Sequence, residues 1–191
     1  MNSSELKQHA LELGFNFAGV TRAEPSPYLN AYQRWIDAGM QGSMKYMARP
    51  DRVARRHDLN VILPGVKSLV MVGLDYRTLL NAETESALQD PSRGRIASYA
   101  WGLDYHEVMT PHLEQLARWI QECSGVSIDS RVYVDTGAVL ERSHARQAGL
   151  GFTGKNTMLI HPRRGSYFFL GEILTTLEFD DYDTPHRPTM C

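Results

Sequence analysis

The sequence predicts a mixed α/β (α+β) fold, and three observations carry that reading. The run KSLVMVGLDY, from Lys67 to Tyr76, is apolar, rich in β-formers and preceded by a Pro-Gly turn, as a buried strand requires. From Asp104 a helical period takes over, with Tyr105, Met109, Leu113, Leu116 and Ile120 on one stripe. Beyond it, strand-like and helix-like runs alternate: RVYV, VLERSHARQAG, TMLIH and SYFFLGEILTTLEF.

The elements follow in order. Asn2 with Glu5 forms a capping-box pattern, and Leu6, Ala10, Leu11 and Leu13 give an apolar face, so a first helix should end near Gly14. FNFAGVT reads as a short strand. Tyr28 to Ala38 reads as a helix with Tyr28, Ala31, Tyr32 and Trp35 on one face, closed by Gly39 and Gly42. Ala48 to Gly65 is polar and basic and ends in a Pro-Gly turn. Asn81 to Arg95 lacks an apolar period, holds Pro91 and Gly94, and reads as loop. Asp104 is placed to cap the long helix, and Pro111 to kink it. The chain divides into a mostly helical segment (1–64), a core (65–180) and a Pro-rich polar connector (181–191).

Composition narrows the class. A chain of 191 residues, 42% hydrophobic and 22% charged, has ordinary globular composition. Its formal net charge of -2 gives no global attraction to nucleic acid, so a polyanion site must be a local patch. Two cysteines, Cys123 and Cys191, are too few for a disulfide framework and point to a reducing, cytoplasmic setting. The N-terminus lacks the pattern of a signal peptide, and no apolar run is long enough for a membrane span.

Asp135 is the first candidate for chemistry. It follows a strand-like run, where α/β proteins tend to place ligands, and an apolar pocket can keep such a carboxyl protonated as a general acid. Asp-Thr-Gly ahead of AVLER is equally good helix-capping sequence, so both readings stand. GLGFTGKN (Gly149 to Asn156) lets backbone approach a ligand and offers Lys155 to a phosphate, or is a plain loop; its spacing is neither a P-loop nor a dinucleotide fingerprint. Arg49, Arg52, Arg55 and Arg56, with Arg163 and Arg164 further on, are either a phosphate-binding patch or solvated loop. Two near-matches fail. HEVMT has Thr110 where a zinc-protease helix needs its second histidine, and DYHEVM has Met109 where a corrinoid signature needs glycine.

Taken together, RRHDLNVILPGVKSLVMVGLDY, ASYAWGLDYHEVM, VDTGAVLERSHARQAGLGFTGKNTMLIH and GSYFFLGEIL, in this order, resemble epoxyqueuosine reductase. The resemblance implies a nitroreductase-like cobalamin-binding domain with a helical N-terminal segment, acting on tRNA that carries epoxyqueuosine. It implies that Asp135 is the proton donor. It also implies that Arg56, Ser98, Tyr99, Gly154 and Lys155, with Asp135, meet cobalamin. Removing an epoxide oxygen needs two electrons and a proton for the leaving oxygen; the cofactor supplies the electrons and the protein orients and protonates. The family continues into a region holding two 4Fe-4S clusters, fed by a flavodoxin or ferredoxin, and Cys191 stands where the first cluster ligand is expected. The expected product is therefore a fragment of a longer cytoplasmic, monomeric enzyme. The alternatives are a related corrinoid reductase acting on a small molecule and a non-catalytic corrinoid-binding module.

Overall fold

The computed structural model describes residues 1–77 and 82–186. In chain order it contains α1 (Ser3–Glu12), β1 (Phe17–Arg22), α2 (Leu29–Asp37), α3 (Pro50–His57), β2 (Ser68–Asp75) and α4 (Ala82–Gln89). There follow α5 (Tyr105–Ser124), β3 (Ser130–Tyr133), α6 (Glu141–Gln147), β4 (Phe152–Thr153), β5 (Leu159–Ile160) and β6 (Phe168–Thr175). The class is mixed α/β, as expected.

Four strands form one sheet in the order β1-β2-β6-β3, antiparallel at every pairing. The central pair, β2 and β6, runs from Ser68 opposite Thr175 to Asp75 opposite Phe168. Successive side chains of a strand face opposite ways. Val20, Val70, Val72 and Ile173 therefore meet Leu6, Met109, Leu113 and Leu116 of α1 and α5. Leu69, Met71 and Leu174 face the other way, onto Leu59, Leu63 and the α6 residue Ala145. Helices thus cover both faces. β3 is an edge strand of four residues that pairs with β6 alone, and none of its residues is buried.

The caps follow the sequence closely. Asn2 accepts a hydrogen bond from the Ser4 N–H at the start of α1, and Asp104 accepts one from the His106 N–H at the start of α5. Met109, Leu113, Leu116 and Ile120 are all fully buried, and α5 continues through Pro111. β1, from the 1–64 segment, pairs along its whole length with β2. After β6 the chain returns to α1: Asp181 accepts from the Ser3 N–H at 2.9 Å, and Asp183 from Lys7 Nζ at 2.8 Å and the Val20 N–H at 2.9 Å.

The polar, basic stretch 48–65, to which the sequence pattern assigns no element, contains a full helix, α3, which starts with Pro50 at its first position; Pro suits that position because its missing N–H has no partner there. Two expectations need correction. Residues 82–89 form α4 instead of loop: no Gly or Pro interrupts them, and Pro91 lies just past the end. Asn81 lies outside the described residues. TMLIH yields only the two-residue β5, which pairs with β4 in a separate small sheet. No helix among the described residues is long and apolar enough to cross a membrane.

Candidate active site

Directly after β3 the backbone makes a tight reversal. The Thr136 N–H donates to the Val134 carbonyl at 2.6 Å, and Asp135 between them has φ +54°. Non-glycine residues rarely occupy this left-handed region, and aspartate is among those that tolerate it best. Side chains held in such turns tend to be there for a purpose other than stability. α6 begins only at Glu141, with Leu140 at its N-cap, so Asp135 caps no helix and the capping reading falls. The Asp135 carboxylate instead accepts a hydrogen bond from the Tyr105 hydroxyl at 2.9 Å. The Tyr105 ring is stacked on Phe169 of β6, with centroids 4.2 Å apart and planes 5° from parallel. Partial burial and then the Asp135 hydrogen bond raise the phenol's pKa, so Tyr105 remains a donor at neutral pH.

Asp135 sits at the rim of a cavity of about 840 Å³ between α2, α3 and the start of α6. Tyr32, Met47, Val139 and Leu140 supply apolar and aromatic wall, and Arg52, Arg56 and Arg142 supply donors. Arg56 is 7% exposed. Its Nη1 reaches the Tyr32 hydroxyl at 3.4 Å and the Arg52 carbonyl at 3.2 Å, its Nη2 meets the Met47 sulfur at 3.6 Å, and its Nε has no partner. No carboxylate pairs with it among the described residues. A buried guanidinium with a spare donor is a site for an acceptor-rich ligand. Arg52 donates to the Thr136 carbonyl at 3.2 Å and bridges α3 to the Asp135 turn. Arg142 donates to the Thr157 carbonyl at 3.0 Å and ties α6 to the glycine-rich loop.

Beneath the turn lie two carboxyls. Glu172, on β6 opposite Tyr133, is fully buried, and neither of its oxygens has a hydrogen-bond partner. Glu141, the first residue of α6, has its carboxyl beside the Asp135 backbone N–H, while its Oε1 is buried and unpartnered. Burial, followed by repulsion from Asp135, pushes the Glu141 carboxyl up to about 7. Burial and then Glu141 push Glu172 well above the ordinary carboxylate range. Gly137 leaves room for this arrangement: a Cβ there would stand 3.2 Å from Glu172 Oε1 and 3.0 Å from the Tyr133 ring.

The sequence-predicted residues divide. Asp135 and Arg56 line the same cavity. Asp135 is exposed, however, and the protein's own apolar burial falls on Glu141 and Glu172. Ser98 and Tyr99 belong to a 3-10 turn (Ser98–Ala100) away from the cavity lining, and Tyr99 is 58% exposed. Gly154 is buried, and a Cβ on it would strike Ile160 at 2.6 Å and Asn156 at 2.8 Å, so the loop's own packing demands glycine there. Lys155 is exposed; its loop reaches the cavity through Thr153 and Thr157. Cys191 lies outside the described residues. The arginine cluster also splits, with Arg49 paired to Asp51, Arg164 to Asp75, and Arg56 turned inward. Among the described residues no group of three or more His, Cys, Asp or Glu side chains could hold a metal ion.

Residues 56–136 match the family model described as Epoxyqueuosine reductase QueG, DUF1730. An epoxyqueuosine reductase of Gloeobacter violaceus is 43% identical over 191 residues, covering 99% of this chain and 56% of the relative. Over its whole length the chain matches epoxyqueuosine reductases. A crystal structure of epoxyqueuosine reductase with an epoxyqueuosine-modified tRNA-Tyr stem loop superposes with TM-score 0.77 and 28% identity, covering 99% of this chain and 49% of that one. The epoxyqueuosine reductase of Bacillus subtilis, with an aspartate catalytic loop swung out of its active site, superposes with TM-score 0.75 and 26% identity, covering 99% and 49%. A B12-dependent reductive dehalogenase shares the fold alone, with TM-score 0.59 and 17% identity, covering 98% and 21%. The chain thus spans about half the length of the epoxyqueuosine reductases it matches.

Proposed function

We propose that this chain carries the cobalamin-binding, proton-donating part of an epoxyqueuosine reductase, which removes the epoxide oxygen of epoxyqueuosine in tRNA to leave queuosine. One observation carries the reading: Asp135, held by Tyr105 on a left-handed turn, stands at the rim of a cavity whose interior offers an unpaired buried guanidinium. The tRNA stem-loop complex and the aspartate catalytic loop of the relatives support it.

The residues fit a corrinoid. Its broad apolar macrocycle suits Tyr32, Met47, Val139 and Leu140, and its fringe of amides suits the free Arg56 Nε and the other arginines. When bound, a reduced cobalamin supplies the two electrons. Everything else falls to the chain. Tyr105 orients the Asp135 carboxyl, and Arg52 holds the turn through the Thr136 carbonyl. Asp135, at the cavity rim, is the group placed to deliver a proton to the departing oxygen.

In this reading residues 1–64 buttress the core, 65–180 hold the cofactor, and 181–191 are a connector. The enzyme works as a cytoplasmic monomer. Its electrons come from a flavodoxin or ferredoxin by way of two 4Fe-4S clusters, with Cys191 as a cluster ligand. The test is two-part. Cobalamin is titrated into the protein and followed by absorbance, and conversion of an epoxyqueuosine-modified tRNA stem loop is then measured under reducing conditions. Saturable binding and conversion are expected; a protein that binds no cobalamin and leaves the epoxide intact overturns the proposal.

A further inference from the structure

Taking the epoxide oxygen away as water needs more than Asp135 can hold. The balance is one epoxide, two electrons and two protons in, with one alkene and one water out. Both C–O bonds break, and both protons finish on the oxygen. The electrons come from the reduced corrinoid of the reading above, on which this inference rests. Asp135 carries one proton. With cofactor and substrate over the rim, the second must come from inside the protein.

The only carboxyls arranged to hold it, among the described residues, lie below the turn. Glu141 lies beside the Asp135 backbone and lines the same cavity, and Glu172 reaches within 3.2 Å of where a Cβ on Gly137 would be. The two therefore underlie the same three-residue stretch that carries the acid. Neither takes part in an ion pair, and three of their four oxygens are buried without a hydrogen-bond partner. Glu172 is fully buried, Glu141 has a buried oxygen, and neither lies within ion-pair distance of a cation among the described residues; two such neighbouring carboxyls do not both stay ionised, so the pair retains a proton. A purely structural pair would be tied into caps, ladders or salt bridges, and Glu172 has none of these. The charged and titratable groups facing the pair are Asp135 on its turn, Tyr105 on α5, Arg56 on α3 and Arg142 on α6. Tyr133 of β3 lies opposite Glu172 in the sheet.

We propose that Glu141 and Glu172 form a buried proton store that recharges Asp135, so that one connected set of carboxyls delivers both protons of the reaction. Both glutamates act through Asp135, Glu141 from the cavity wall beside it and Glu172 from the buried strand behind. They are positioning residues in the proton's path.

The experiment uses the native protein loaded with its cofactors, and Glu141→Gln, Glu172→Gln and the double variant. Glutamine keeps size and a side-chain oxygen at each position, so a structural role survives the change. Single-turnover conversion of the modified stem loop is followed from pH 5 to 9. Each variant is expected to lose roughly a hundredfold in rate, along with the wild-type dependence on pH near neutrality. Infrared difference spectra of the wild type, without substrate, are expected to show a protonated buried carboxyl at pH 7 that Glu172→Gln abolishes. That readout needs neither turnover nor a folded variant to decide against the idea, since its absence in wild type overturns the store. Wild-type rates and pH profiles in both single variants overturn it as well. A failure of the function reading looks different, because then Asp135→Asn is silent too.

Discussion

The Tyr105 hydroxyl donates to the Asp135 carboxylate across 2.9 Å, joining the first residue of α5 to a turn at the edge of the sheet. Asparagine also tolerates the left-handed backbone that Asp135 adopts, so Asp135→Asn should fold within about 1 kcal/mol of wild type. It cannot donate a carboxylic proton, and its rate on the modified stem loop should fall by about 10²–10⁴-fold. Tyr105→Phe keeps the stack on Phe169 and removes only the donor, so a loss of roughly tenfold is expected. Rates normalised to bound cobalamin check both, and near-normal turnover in Asp135→Asn returns that residue to a structural role.

Arg56 should matter for the cofactor through donors that lysine cannot reproduce. Its fork is planar and fixed, held by Tyr32, Arg52 and Met47. Arg56→Lys should weaken cobalamin binding about ten- to a hundredfold, the value of a hydrogen bond from a charged donor. Absorbance titration measures it. Unchanged affinity means that the spare Nε faces something other than the ligand.

The stability of the protein should depend on pH in a defined direction. The Glu141 carboxyl is raised to about 7, so the folded state binds its proton more tightly than the unfolded one. That contribution is full below the ordinary carboxylate pKa and is lost as pH rises to about 7. His144 works oppositely: burial lowers it to about 4, so its contribution is full above its ordinary value and is lost as pH falls through 6.5 towards 4. Melting temperature should therefore peak between the two, and Glu141→Gln should flatten the decline on the alkaline side. A wild-type curve still rising from pH 5 to 8 contradicts the assignment.

Contact with tRNA should run through the partly exposed arginines of α3, Arg55 and Arg52, the latter also holding the Asp135 turn. Arg56 is buried and Arg49 is paired with Asp51, which leaves Arg52 and Arg55. Neutralising both should weaken binding of the stem loop and lower the slope of log K against log salt by about one unit per lost phosphate contact. Filter binding across a salt series tests this, and an unchanged slope makes them a solvated surface.

Much of this architecture was legible because burial leaves a period. Met109, Leu113, Leu116 and Ile120 repeat at helical spacing, and all four are fully buried under the sheet. α3 left no such trace, since Val53 is its one large apolar residue and the helix is recognised only by Pro50 and good formers. Within the site, Asp135 and Arg56 stood out in sequence, whereas Tyr105 counted only as one more member of the apolar stripe. Its hydroxyl partner is 30 residues away, a distance that no local pattern encodes. Glu172 did leave a signal, a lone charge inside FFLGEILT, but its meaning depends on Glu141, which tertiary packing alone brings near.

The acid hangs from the weakest part of the sheet. β3 is four residues long and paired on one side, and Val134 just beyond it is anchored in the core that α1 and α5 seal, so the exposed tip at Asp135 and Thr136 is the part that can move without opening those layers. Its departure breaks the bonds from Tyr105 and from Arg52, each worth on the order of 1 kcal/mol in net terms. Local opening of that size is populated long before global unfolding. Such an excursion moves Asp135 away from the cavity rim and back again while the sheet beneath it stays closed.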